Sequence, residues 1–185
     1  DFRLAVEIDL DKNWHTYWKN PGDSGSPAKV DWSHPERFSI SAIKWPIPEY
    51  ISTPPLATYG YKDHVVLLVD VAVPETIAGN TVAFKGQLEW LECREICLVG
   101  NGTFRVSLPV LKKRDKKNPL NEKDLSVFRD AQKNLPVAKH NWQAEAKQTD
   151  THITYSFQKN EDLNKWGIGK FNEEHFRFFP ATQGL

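Results

Sequence analysis

Phe2, Leu4, Val6, Ile8 and Leu10 alternate with Arg3, Ala5, Glu7 and Asp9. A two-residue period places one set of side chains on each face of an extended chain, so this segment reads as a strand with one face against a core. Strand-like runs recur at Trp14 to Trp18, Ala28 to Trp32, Ile40 to Trp45, His64 to Val73, Thr81 to Glu92 and Thr103 to Val110. Between them lie segments with turn chemistry, of which Asn20-Pro21-Gly22-Asp23-Ser24-Gly25 is the clearest. Asn101-Gly102-Thr103 also reads as a turn, although it matches a glycosylation sequon. Roughly seven short strands with no amphipathic helix among them predict an all-β fold, an immunoglobulin-like β-sandwich. Trp14, Trp18, Trp32, Trp45 and Trp90 supply bulk for its core.

At 185 residues the chain exceeds what one core of about 100–150 residues needs, which leaves a remainder to place. The expected layout is a sandwich domain over residues 1–111, a basic linker with a short helix over 112–139, and a partial second β-domain over 140–185. The helix is predicted from Asn121, with Leu125, Phe128 and Leu135 on one face and Pro136 just past its end. Beyond His140, Trp142 to Ala146, His152 to Phe157 and Glu174 to Phe179 again read as strands.

Lys plus Arg equals Asp plus Glu at 24 each, so no global field draws the protein to nucleic acid or to a membrane. Lys112, Lys113, Arg114, Lys116 and Lys117 form a local basic run. Without interleaved aromatics it reads as a solvated linker and not as a nucleic-acid patch. The longest apolar run, Val65 to Val69, ends at Asp70 and falls far short of a membrane span. Asp1 starts almost directly in a strand pattern, as expected for a trimmed or processed N-terminus.

The two cysteines, Cys93 and Cys97, lie four positions apart in Trp90-Leu91-Glu92-Cys93-Arg94-Glu95-Ile96-Cys97. In one extended strand, at about 3.3 Å per residue, their Cα atoms would stand roughly 13 Å apart, beyond the 4.4–6.8 Å that a disulfide allows. Arg94, Glu95 and Ile96 must turn if the two sulfurs are to meet. A bridge closing about five residues stabilises a fold by only roughly 2 kcal/mol in the chain-entropy account, so the pair is a weak staple. Three readings remain open: a redox pair, a soft-metal pair holding Cu(I), and a small structural bridge. Zinc is disfavoured, because a structural site needs four ligands and the chain has no second C-x-x-C or H-x-x-x-H partner. No Met is present to add the thioether ligands that suit Cu(I).

Asn13-Trp14-His15-Thr16-Tyr17-Trp18-Lys19-Asn20-Pro21-Gly22-Asp23-Ser24-Gly25, Thr58-Tyr59-Gly60-Tyr61 and the cysteine segment, in that order, resemble the periplasmic N-terminal region of the DsbD/ScsB family of thiol:disulfide interchange proteins. They are most similar to the ScsB branch, named for suppression of copper sensitivity. The resemblance covers about Leu10 to Val110; Phe178-Phe179-Pro180 and Gly184 resemble the second β-domain of that branch. It implies the electron-transfer domain of a protein-disulfide reductase, with Cys93 and Cys97 as the redox-active centre and no cofactor. Its partners would be a membrane-embedded reductase domain, of the same or a partner chain, and periplasmic thioredoxin-like oxidoreductases. A copper-tolerance module holding Cu(I) on the same thiolates is the alternative.

By this resemblance Cys97 is the attacking thiol and Cys93 the resolving one, while Tyr59, Gly60 and Tyr61 form a cap loop that shields the pair. His15, Tyr17, Trp18 and Trp90 lie beside the site. Arg94 would lower a thiol pKa, while Glu92 and Glu95 would raise it, so the resting pair is not strongly acidified. The cysteine gap is shorter than in the DsbD branch.

Overall fold

The computed structural model describes residues 1–111, 120–137, 142–159 and 178–182. They fall into two compact units, Asp1–Pro136 together with Phe179–Leu185, and Val137–Phe178.

The first unit is an all-β sandwich of two antiparallel sheets. In the smaller sheet, β1 (Phe2–Asp9) pairs along its whole length with β7 (His64–Ala72), and β4 (Ser39–Ile40) pairs with the far end of β7. The alternation in β1 does what its period requires: Leu4, Val6 and Ile8 are buried. In β7 the apolar run is continuous because both faces are covered. Val65, Leu67, Val69 and Val71 join the core clusters between the sheets, while Val66 and Leu68 pack with Ala131 of the helix α1 (Glu122–Lys133). The Asn121 side chain caps α1 by accepting from the Asp124 N–H, and Val127, Phe128 and Leu135 complete the face turned to β7. Full burial of a large apolar side chain is worth about 1.5–3 kcal/mol, and the fraction of it gained by these half-buried side chains holds a helix too short to persist alone.

The larger sheet has the order β3 (Lys29–Ser33), β8 (Thr81–Cys93), β2 (His15–Gly22), β6 (Leu56–Lys62) and β5 (Glu49–Thr53), with β9 (Cys97–Pro109) paired to β8. Phe84 fills the space between the sheets, with the Phe2 and Phe38 rings edge-on to it.

Several sequence expectations are corrected. Trp14 precedes its strand, and β2 runs on through Asn20-Pro21-Gly22 with a register shift between Tyr17 and Gly22. The Asn20 side chain is buried there, and its Nδ2 donates to the carbonyls of Pro180 and Thr182. Phe179 lies edge-on to Trp18 and Tyr59, so this returning segment belongs to the sandwich unit. Asn101-Gly102-Thr103 lies inside β9, opposite Glu89, Leu88 and Gln87, because the long β8 partner satisfies its backbone. Of Ile40 to Trp45, only Ile40 joins a ladder and Lys44 a lone bridge to Leu68.

In the second unit, β10 (Trp142–Gln148) and β11 (Ile153–Lys159) form an antiparallel hairpin closed by the Thr149 N–H to His152 carbonyl bond. Tyr155 stacks near Phe178. The expected strand at Glu174 to Phe179 lies mostly outside the described residues, as does the basic run at 112–119, and Phe178 and Phe179 are in no strand.

Candidate functional site

The β8–β9 hairpin runs in unbroken register from Thr81 opposite Pro109 to Cys93 opposite Cys97. The intervening Arg94, Glu95 and Ile96 turn the chain, and the Arg94 N–H donates to the Ile96 carbonyl at 3.0 Å. Directly opposed residues in an antiparallel pair come close enough to bridge. Here the Cα atoms are 4.1 Å apart and the sulfurs are bonded.

The two sulfurs have different surroundings. Cys93 is buried, because β8 has β9 on one side and β2 on the other, and His15 of β2 is its partner there. Cys97 is exposed at the start of β9, a strand that pairs only with β8 among the described residues. Ile96, Leu98 and Val99 beside it are also exposed, Val99 at 76%.

Beneath the bridge, Tyr17 is buried and donates its hydroxyl to Cys93 Sγ at 2.8 Å. The His15 ring meets the Tyr17 ring edge-on, with centroids 5.4 Å apart. Strand alternation accounts for this grouping: His15 and Tyr17 share a face of β2, and His15 is directly opposite Cys93. Room for the tyrosine ring comes from Gly25, where a Cβ would lie 2.1 Å from Tyr17 Cε1. Thr16, pointing the other way, ties β2 to β8 through its hydroxyl to the Leu91 carbonyl at 2.9 Å. Burial raises the Tyr17 pKa above the usual phenol value, so the hydroxyl remains a donor. Burial, and secondarily the Lys62 charge, lowers the His15 pKa and keeps the imidazole neutral at pH 7.

Thr58-Tyr59-Gly60-Tyr61 is not a loop: it is the middle of β6, held between β2 and β5. Gly60 is opposite Tyr17 and shares its face, so Tyr59 and Tyr61 point to the other face of the sheet. Tyr61 is buried in the core cluster with Val6, Ile8 and Trp18, and its hydroxyl donates to the Pro46 carbonyl. Tyr59 is half-buried against Tyr50 and Phe179. Trp18 too is a core residue, on the face away from the disulfide. Its indole N–H has no acceptor among the described residues. Trp90 donates its Nε1 to Glu92 Oε2 at 3.1 Å, and the Arg94 guanidinium lies 5.9 Å from the Trp14 ring centre. Glu95 is exposed on the turn.

The cysteine pair is bonded across a hairpin turn at the rim of an immunoglobulin-like sandwich, with one sulfur open to an attacking thiolate and one closed. Residues 1–109 match the family described as thiol:disulfide interchange protein DsbD, N-terminal. The chain belongs to this DsbD N-terminal family. Among solved structures, the N-terminal periplasmic domain of ScsB from Proteus mirabilis superposes with a TM-score of 0.62 at 20% identity, over 86% of this chain and 59% of that one. At that identity the likeness shows a shared fold. The present chain spans 59% of the length of the ScsB domain. No curated protein matches the sequence.

Of the residues singled out in the sequence, this DsbD-family domain brings Cys93, Cys97, His15 and Tyr17 together, with Glu92, Arg94 and Glu95 around the turn. It places Tyr61 and Trp18 in the core instead. The direct Tyr17 to Cys93 contact and the part of Gly25 were not read from the sequence. The available signal was the His15-x-Tyr17 spacing, which puts both rings on one strand face.

Proposed function

We propose that this domain relays electrons in the periplasm. It would take them from a membrane-embedded reductase domain, of the same or a partner chain, and pass them to thioredoxin-like proteins through Cys93 and Cys97. The observation that carries this reading is the asymmetry of the bridge, with Cys97 exposed and Cys93 buried. An incoming thiolate reaches Cys97 Sγ, forms a mixed disulfide there, and breaks the bond to Cys93, which departs with the electron pair as a thiolate. A second thiol of the donor then attacks its own sulfur in the mixed disulfide and releases Cys97. Two electrons have moved, and the two cysteines take up two protons from water. In the delivering half-cycle, the Cys97 thiolate attacks the acceptor's disulfide, and the Cys93 thiolate then attacks Cys97 Sγ to release the reduced acceptor.

Access supports the same roles. A protein that forms a mixed disulfide must cover the ground around Cys97, and Ile96, Leu98 and Val99 offer it exposed apolar contact. A periplasmic setting agrees with the ScsB relative's location and with the persistence of disulfides in oxidising compartments. The β10–β11 hairpin of the second unit we read as the opening of a second β-domain.

The test is trapping. Reduced Cys93→Ala protein, mixed with periplasmic extract or a thioredoxin-like protein, should accumulate a mixed disulfide through Cys97, while Cys97→Ala should not. The native pair should equilibrate with glutathione and dithiothreitol buffers above about −300 mV, the range of exchangeable bridges. A potential far below that, with no trapped species, would make the bridge structural. Tight Cu(I) binding to the reduced pair without trapping would favour the copper module.

A further inference from the structure

The geometry points to a chemical role for Tyr17: we propose that its hydroxyl is the hydrogen-bond donor that receives Cys93 as a thiolate each time the bridge opens, making Tyr17 a catalytic residue. This rests on the exchange reading above.

The donor is in place before any reaction begins, 2.8 Å from Cys93 Sγ, with both residues buried. When a thiolate attacks Cys97 Sγ, the S–S bond breaks and its electron pair stays on Cys93 Sγ. A charge then develops on a sulfur enclosed by β2 and β9, where unaided burial would oppose it. The Tyr17 hydroxyl is the polar group aimed at that atom. A hydrogen bond to an ionised partner is stronger than one to a neutral partner, so the contact tightens as the charge forms. No proton changes hands: the buried phenol is a weaker acid than a thiol, so Tyr17 keeps its proton and the sulfur keeps its charge until the next step.

The site is built to hold that ring still. Gly25 leaves space for it, and its φ of 106° is one that other residues rarely adopt. Gly60 lets β6 close on the strand at this point: a Cβ there would lie 2.0 Å from the Thr16 carbonyl oxygen. His15, edge-on to the ring, is neutral and adds no positive charge near the sulfur. The other ionisable groups on the surrounding strands and turn include Lys19 on β2, Lys62 on β6, opposite His15, Lys85, Glu89 and Glu92 on β8, Arg105 on β9, and Arg94 and Glu95 in the turn. Glu92 is bonded to Trp90, and Arg94 lies over Trp14. Tyr17 is thereby the donor that distinguishes Cys93 from Cys97, and it makes Cys93 both the better leaving group during reduction and a poised thiolate for resolving the mixed disulfide.

The test is Tyr17→Phe, which keeps the ring and removes the donor. In a Cys97→Ala background, the Cys93 pKa is read from thiolate absorbance against pH; with both cysteines present, the rate of reduction by dithiothreitol and the equilibrium with glutathione are measured. The phenylalanine variant should raise the Cys93 pKa by about one unit, a tenfold change in its acid constant, slow reduction about tenfold, and shift the equilibrium toward the disulfide. An unchanged Cys93 pKa in the folded variant overturns the proposal, even if the rate falls, because a purely structural role predicts that pattern. A readout that needs no substitution at Tyr17 is the NMR shift of its ring Cζ during titration of Cys93 in Cys97→Ala protein. It should follow the Cys93 pKa, and a flat response overturns the proposal. These measurements contain no protein partner, so a failure of the electron-relay reading would appear in the trapping experiment and not here.

Discussion

Cys93 and Cys97 occupy the last rung of one hairpin, yet Cys93 is only 4% exposed while Cys97 lies open to solvent. The difference arises outside the hairpin. Strand β2 runs against the Cys93 side of β8 and nothing among the described residues runs against the outer side of β9. A symmetric bond is thus given a direction by its neighbours: one sulfur faces solvent and the other meets Tyr17.

That direction sets where a small thiol attacks. Brief exposure of the oxidised protein to glutathione, followed by acid quenching and peptide mass spectrometry, should place the glutathione adduct on Cys97 in large excess over Cys93. Equal labelling of the two would remove the basis for assigning them separate roles.

Tyr61 is predicted to be a stability residue. Truncation to Ala removes a buried aromatic from the cluster around Val6, Trp18 and Leu67 and should cost about 3–5 kcal/mol in denaturant unfolding. Tyr61→Phe leaves the Pro46 carbonyl without its donor and should cost about 1–3 kcal/mol. A change below 0.5 kcal/mol for Tyr61→Ala would mean that the residue acts as an exposed cover over the disulfide.

Two glycines separate close packing from backbone conformation. A Cβ at Gly60 meets the Thr16 carbonyl oxygen at 2.0 Å and Tyr17 Cα at 3.3 Å, both backbone atoms that cannot turn aside. Gly60→Ala should therefore cost about 1–3 kcal/mol by overpacking, and it should also disturb the Tyr17 contact and slow reduction by dithiothreitol. Gly79 has φ of 86° with open space around it, so Gly79→Ala should cost about 1 kcal/mol from the backbone alone and leave the reduction rate unchanged.

His15 links stability to pH. Its pKa is lowered in the folded protein, by burial first and by Lys62 second, so the unfolded chain takes up a proton below about pH 6.5 that the folded chain refuses. Stability is therefore full above that pH and declines as the pH falls from about 6.5 toward the depressed folded value. Unfolding free energies measured between pH 7.5 and pH 5 should fall less steeply in His15→Gln than in the native protein. Identical slopes would assign the acid sensitivity to other groups, such as Asp70, whose pKa is lowered by hydrogen bonds from Lys44 and Arg3 and which loses its contribution only at lower pH.

Local chemistry was enough to foresee some of this protein. The alternation in Phe2 to Leu10, the apolar β7, the short helix from Asn121 and the need for Arg94, Glu95 and Ile96 to turn are consequences of short-range rules, and each appears in the fold. Strand β6 was hidden from such rules. Ala57 and Gly60, following Pro54-Pro55, have weak strand character, and they are extended because β2 and β5 pair with this segment. The same holds for Asn20-Pro21-Gly22, which read as a break and is the buried end of β2 anchoring residues 180–182. The sequence by itself determined that the two cysteines can meet only across a turn between strands. Which sulfur is buried, and that a tyrosine 76 positions away reaches it, was decided by the pairing of β2 with β8, because burial and hydrogen bonding are set by what packs from outside the segment.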